Sequence, residues 1–164
     1  MSDALDRSPL EELAGTWQAC WTDADGASFE DCCTPDVHYE DPVAVEPLLG
    51  AGALGAHAGR LREAFPDLRI ERAGAALGSE RFACLPWRAL ATHRGDLPNL
   101  PASGRFLTVH GVHYAELEDG RVRRARGFFD LYSAAVQLGL LPARGSLSET
   151  ALLLVRGFGL RPRA

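Results

Sequence analysis

No apolar run in the chain approaches the length a bilayer requires, which sets aside a membrane-spanning helix. Nor is there a basic surplus: 17 Lys and Arg stand against 22 Asp and Glu, a formal charge of -5. Nucleic acids and anionic membranes bind by releasing counterions to basic surfaces, so neither is expected as a partner. The polar, acidic start MSDALDRSPLEEL lacks the basic end and apolar core of a signal peptide, and a cytoplasmic location is expected. The four cysteines, Cys20, Cys32, Cys33 and Cys84, have neither paired CxxC spacing nor a regular framework. They are read as small, partly buried hydrophobes rather than metal ligands or bridges. No internal repeat or linker divides the 164 residues, and 46% hydrophobic content suffices for one core.

What the chain does have is a long hairpin pattern, RFLTVHGVHYAELEDGRVRRARGFFDL, from Arg105 to Leu131. Two alternating runs meet at Asp119-Gly120, a dipeptide that supplies the positive φ angles of a two-residue turn. A regular ladder then sets Glu118 opposite Arg121, His113 opposite Arg126, Gly111 opposite Phe128 and Val109 opposite Asp130. Cross-strand partners share a face, so His113, Phe128 and Asp130 would look across one apolar surface. A single bulge would flip part of this assignment and bring His110 to that face instead. Both histidines stay open.

Upstream, Ser8-Pro9-Leu10-Glu11 signals a capped helix start, and Leu10, Leu13, Trp17, Cys20 and Trp21 follow at helical spacing up to Asp25-Gly26. A short helical turn is expected across Ala27 to Cys32, then a strand Val37 to Pro42, where Tyr39 and Asp41 could point inward together. A turn over 47–52 precedes a helix from Ala53 to Phe65, stopped by Pro66. Strands follow: Leu68 to Ala73, then Arg81 to Arg94 with Ala83, Leu85, Trp87, Ala89, Ala91 and His93 on one face and Pro86 at an edge or bulge. After Asp130 the pattern is helical to Pro142, and Ser146 with Glu149 opens an unusually apolar helix to Arg156. That helix either packs on the sheet or forms an interface. The order means an α+β fold. Residues 1–164 form a single domain, with 144–164 a C-terminal helical extension.

The runs AFPDLRIE (64–71), THRGDLPNLPASGR (92–105), ELEDGRV (116–122) and FFD followed by VQLGLLP (128–142) together resemble the SnoaL-like polyketide cyclases of the nuclear-transport-factor-2-like superfamily. The resemblance covers about 10–142 and implies a cone: a curved antiparallel sheet wrapped on helices around an apolar pocket. It implies acid-base catalysis of an intramolecular aldol closure, without metal or cofactor, by an aspartate that Asp130 matches. His93 matches a common position beside substrate carbonyls, with His113 or His110 completing the group. Arg126 departs from a frequent tryptophan beside that aspartate. Related members are hydroxylases, dehydratases or isomerases of secondary metabolism and antibiotic biosynthesis, so fold is better supported than reaction.

Such a closure needs a base for the proton alpha to a carbonyl and a donor for the oxygen. Asp130 is the candidate acid-base group and His113 its partner. His93, His110, Tyr39, Trp17, Trp21, Trp87 and Phe128 are the candidate substrate contacts, and Trp17 with Trp21 also suit a plain core stripe. Against this stands a cap or salt-bridge role for Asp130 just before a helix. His38 and His57 are read as surface or structural residues. No metal is expected, because His110 and His113 point to opposite faces of a regular strand. The expected partner is a hydrophobic polyketide-like small molecule, and the chain is expected to be a homo-oligomer. A non-catalytic binding module remains the alternative.

Overall fold

The computed structural model describes residues 8–23, 26–44, 46–98 and 100–156. Helix α1 (Pro9–Thr22) starts as its sequence predicts: Ser8 accepts a hydrogen bond from the Glu11 N–H, and Pro9 occupies the first turn. The Glu11 carboxylate reaches Arg72 and the Ala76 N–H, tying α1 to the sheet. Leu13, Trp17, Cys20 and Trp21 are buried as one stripe. A 3-10 turn (Phe29–Asp31) leads into β1 (Cys33–Glu40), then β2 (Leu48–Leu49), α2 (Ala51–Ala64), β3 (Arg69–Arg72), β4 (Leu77–Gly78), β5 (Phe82–Thr92), β6 (Phe106–Glu118), β7 (Arg121–Phe129), α3 (Leu131–Leu138) and α4 (Leu147–Val155).

The strands make one curved, unclosed sheet of order β2-β1-β7-β6-β5-β3, with β4 paired to β5. All pairings are antiparallel except β1 with β7, which is parallel and brings an early strand beside the last long one. That neighbourhood is what the local patterns did not disclose, because it joins segments nearly ninety residues apart. β1 is also longer than expected: Cys33 to Asp36 extend it, through an irregularity between Cys33 and His38. Pro86 lies on β5 opposite the gap between β3 and β4, where a missing donor does little harm.

The Asp119-Gly120 turn forms, with φ of 49° and 76°. The register beyond it corrects the regular ladder. Leu117 faces Val122 but Glu116 faces Arg124, so Arg123 is an extra residue in β7. From there outward β7 is turned over: His113 faces Gly127, and Gly111 faces Phe129. The bulge lies in β7 and leaves β6 unflipped. His113 therefore stays inside, while Phe128 and not His110 changes face.

The core splits into a cluster around Trp17, Trp21, Phe29 and Tyr39 and a smaller one around Phe65, Leu107 and Val109. Cys20, Cys32 and Cys33 are free and buried in the first, as small hydrophobes, and Cys84 is half-buried. None of α4's residues is buried, and Leu147 and Val155 are 90% and 85% exposed. Among the described residues no helix is long and apolar enough to cross a membrane.

Candidate active site

The alternating face of β5 predicted from sequence lines an apolar cavity of about 120 Å³ with Trp87, Ala89 and Ala91. β6 adds Leu107, Val109 and His113, β7 adds Phe129, and Leu61 and Phe65 close it from the α2 side. Trp21, Tyr39 and Asp41 complete the wall. Asp41 also lines a larger outer hollow, about 430 Å³, with Glu40, Glu46, Arg126, Gly127 and Phe128. The carboxylate thus stands between an apolar chamber and a more polar one.

Around it runs a hydrogen-bonded chain whose direction can be assigned. Trp17 Nε1–H donates to His113 Nδ1 at 3.1 Å, and an indole can only donate. His113 is held about 3, against an ordinary value of 6.5, by its complete burial, and Asp41's charge offsets this only in part. The neutral ring must then carry its proton on Nε2, which faces the Tyr39 hydroxyl at 3.3 Å. Burial, with the adjacent Asp41 carboxylate, pushes the Tyr39 pKa well up, so the phenol keeps its proton.

Asp41 Oδ1 accepts from the Val43 and Ala44 N–H groups, both at 2.7 Å, and Oδ2 pairs with His57 Nε2 at 2.9 Å. The two side chains are only 3% and 7% exposed. Burial alone would raise the Asp41 carboxyl, yet the hydrogen bond and attraction from His57 and the two backbone donors outweigh it and hold it below its usual range. Gly127 makes the approach possible: a Cβ there would lie 2.8 Å from the Tyr39 oxygen and 3.2 Å from Asp41 Cβ.

Of the residues singled out from sequence, His113, Tyr39, Trp21 and Trp87 come together at the cavity. Trp17 stands behind them, buried, as the donor to His113. Asp130 does not share their face. The β7 bulge turns it outward, and it caps α3, accepting from the Ser133 N–H at 2.8 Å on the exposed surface. Phe128 moves with it to the outer hollow, under the Arg126 guanidinium. His110 is exposed opposite Arg88. His93 is buried but outside the cavity lining, where its Nδ1 accepts from the Ser103 N–H and pins the loop after β5.

His57, taken from sequence as surface or structural, is Asp41's partner. The available signal was its place on the buried stripe of α2 with Ala51, Leu54 and Ala58, where an imidazole requires a polar partner. Among the described residues, no three or more His, Cys, Asp or Glu side chains are grouped to hold a metal ion.

A model of the SnoaL-like polyketide cyclases matches residues 11–138. The chain belongs to that family. The match ends with α3, so the exposed α4 of this SnoaL-like protein lies outside the matched residues. No curated protein matches it significantly. Among solved structures, TsrD from Streptomyces laurentii superimposes with a TM-score of 0.70 at 25% identity, covering 84% of this chain and 99% of TsrD. The SnoaL-like protein from Jannaschia sp. CCS1 gives 0.69 at 23%, with 85% and 100% covered. IdmH from Streptomyces antibioticus, a proposed polyketide cyclase, gives 0.67 at 16%, with 81% and 99% covered. These likenesses establish the cone fold of this SnoaL-like chain.

Proposed function

We propose that this protein is a cyclase of the SnoaL-like family that moves protons on a hydrophobic, polyketide-like carbonyl compound, with Asp41 as the acid-base group and His57 as its positioning residue. The observation that carries this is the buried Asp41–His57 pair, 2.9 Å apart, at the junction of an apolar cavity and an outer hollow. Intramolecular aldol closure fits the equipment. Asp41 takes a proton from carbon beside a carbonyl, the resulting enolate carbon bonds to a second carbonyl carbon, and the proton returns from Asp41 to the new alkoxide. A carboxylate held below its usual range is a weak base. It suits an acidic C–H, such as one between two carbonyls. Tyr39, fixed by His113, keeps the carboxylate aligned and leaves its inner side to the apolar wall.

The test is Asp41→Asn beside Asp130→Asn, on a diketone that the wild type cyclises. Asp41→Asn is expected to lower turnover by roughly 10²–10⁴-fold with the fold intact, and Asp130→Asn to leave it near wild type. The reverse pattern removes Asp41 from the chemistry. Product mass separates the neighbouring chemistries: closure leaves it unchanged, dehydration subtracts water, and hydroxylation or epoxide opening adds oxygen or water.

A further inference from the structure

Among the described residues four buried side-chain nitrogens have no hydrogen-bond partner: His38 Nε2 and His93 Nε2, whose rings do not line the apolar cavity, and two indole donors whose rings do. Trp21 Nε1 and Trp87 Nε1 have no hydrogen-bond partner, although both atoms are shielded from solvent and Trp21 is only 3% exposed. Their rings lie against the His113 imidazole, each with its centroid 5.3 Å away and with interplanar angles of 6° and 27°. Both rings also line the apolar cavity.

The fold does satisfy an indole where no ligand is involved: the third tryptophan, Trp17, has its bond to His113. Nothing in the network has capacity for the other two. His113 Nδ1 accepts from Trp17 and Nε2 carries the proton towards Tyr39. Asp41 is already met by two backbone donors and His57, with the Tyr39 phenol adjacent. A buried N–H left alone is costly, and native structures rarely keep one without a reason.

Trp87, moreover, is held in place by design of the sheet. It faces Gly111 across the β5–β6 ladder, and a Cβ on Gly111 would come within 2.7 Å of Trp87 Cε2, the ring carbon beside Nε1. Only glycine leaves room for the indole there.

We infer that Trp21 and Trp87 are the oxygen-recognition element of the cavity, their indole N–H groups donating to carbonyl oxygen on a flat, conjugated ligand. This rests on the proposed function for the identity of the cavity, and it supplies what that proposal leaves open, the group that meets the carbonyl. The free hydrogen-bonding capacity of these cavity-lining indoles is donor only, so the ligand must bring acceptors. The Asp41 charge beside them selects neutral ketone oxygen over carboxylate. As an enolate forms, its oxygen gains charge and the same two bonds strengthen, which is where such donors contribute to rate.

The test uses a shape-matched pair of probes, 2-acetylnaphthalene and 2-isopropenylnaphthalene, which differ in C=O against C=CH2. Binding is followed on the three indole N–H resonances of the ¹⁵N-labelled wild-type protein. The ketone is expected to move the Trp21 or Trp87 resonance downfield while that of Trp17 stays, and to bind about tenfold more tightly than the alkene. Trp87→Phe, which keeps a ring but not the donor, should bring the ratio of ketone to alkene affinity down towards one. Equal affinity for the two probes, unmoved Trp21 and Trp87 resonances with ketone bound, or no binding of either probe up to its solubility overturns the inference. Because binding is read without turnover, these outcomes are independent of whether Asp41 is the acid-base group.

Discussion

The turn after β1 and the junction of β7 with α3 each end a strand on an aspartate that binds the backbone N–H groups just ahead of it: Val43 and Ala44 for Asp41, Ser133 for Asp130. As local chemistry the two are near duplicates. Their surroundings differ. Asp41 has a second oxygen, which is engaged by His57 in a site almost closed to solvent, and it borders the cavity. Asp130 is exposed and its cap bond serves only the helix. A carboxylate becomes chemically useful through what surrounds it rather than through its place at a strand end, and each prediction below acts on that contrast.

The largest effect is expected from His57→Leu, which strips Asp41 of its side-chain partner. An unpaired buried carboxylate should cost roughly 3–5 kcal/mol at neutral pH, measured by urea unfolding. The sign with pH follows. In the wild type the Asp41 carboxyl titrates below its unfolded value, so its contribution is present above the usual carboxylate range and is lost as pH falls through the lowered folded value. In the variant burial prevails, the folded value rises, and stability should recover as the carboxyl becomes protonated on mild acidification. A loss that is the same at every pH would mean that His57 acts only by packing.

His113 gives the next effect, and in a separate window. It is neutral down to about pH 3 in the folded protein, while the unfolded chain takes up its proton near 6.5. Between those values the unfolded state binds more protons, so stability falls as pH is lowered, by on the order of 4 kcal/mol across the window. His113→Phe should flatten that slope even as it removes the bonds to Trp17 and Tyr39. The slope, not the absolute stability, is the readout. An unchanged slope would assign the acid sensitivity to other groups.

Gly127→Ala tests the close approach that brings β7 beside Asp41. The new Cβ would stand 2.8 Å from the Tyr39 oxygen, so the strand or the hydroxyl must shift. A loss of roughly 1–3 kcal/mol is expected, together with a fall in turnover larger than that caused by Ala at an outward position such as Arg124.

The hairpin, the helix starts and the inward face of β5 were legible because they rest on local rules: positive φ at Asp119-Gly120, the Ser8-Pro9 start, and period-two alternation from Ala83 to His93. His113 could be found because β6 keeps strict alternation from Leu107 to Ala115. Asp130 was misplaced because one extra residue, Arg123, reverses every later side chain of β7, and nothing in RVRRARGFF marks which arginine is the extra one. Asp41 was visible as a possible inward neighbour of Tyr39. Its partner His57 was not, since their meeting depends on how α2 is set against the end of β1. Gly127 carried a signal in retrospect, a glycine at an inward strand position where something must come close.

The smallest effect is expected at the second aspartate. Asp130→Ala removes one side-chain bond to the Ser133 N–H at the start of an eight-residue helix. Loss of such a cap costs about 1 kcal/mol, and thermal unfolding is the measurement. Because α3 packs on β6, and Gln137 on it exchanges hydrogen bonds with both the N–H and C=O of Thr108, the helix has other attachments and should stay in place. Turnover is therefore expected to follow stability and no more. If Asp130→Ala instead lowered kcat by a hundredfold without moving the melting point, the contrast between the two aspartates would collapse, and the outward turn of β7 at Arg123 would have to reverse during the reaction.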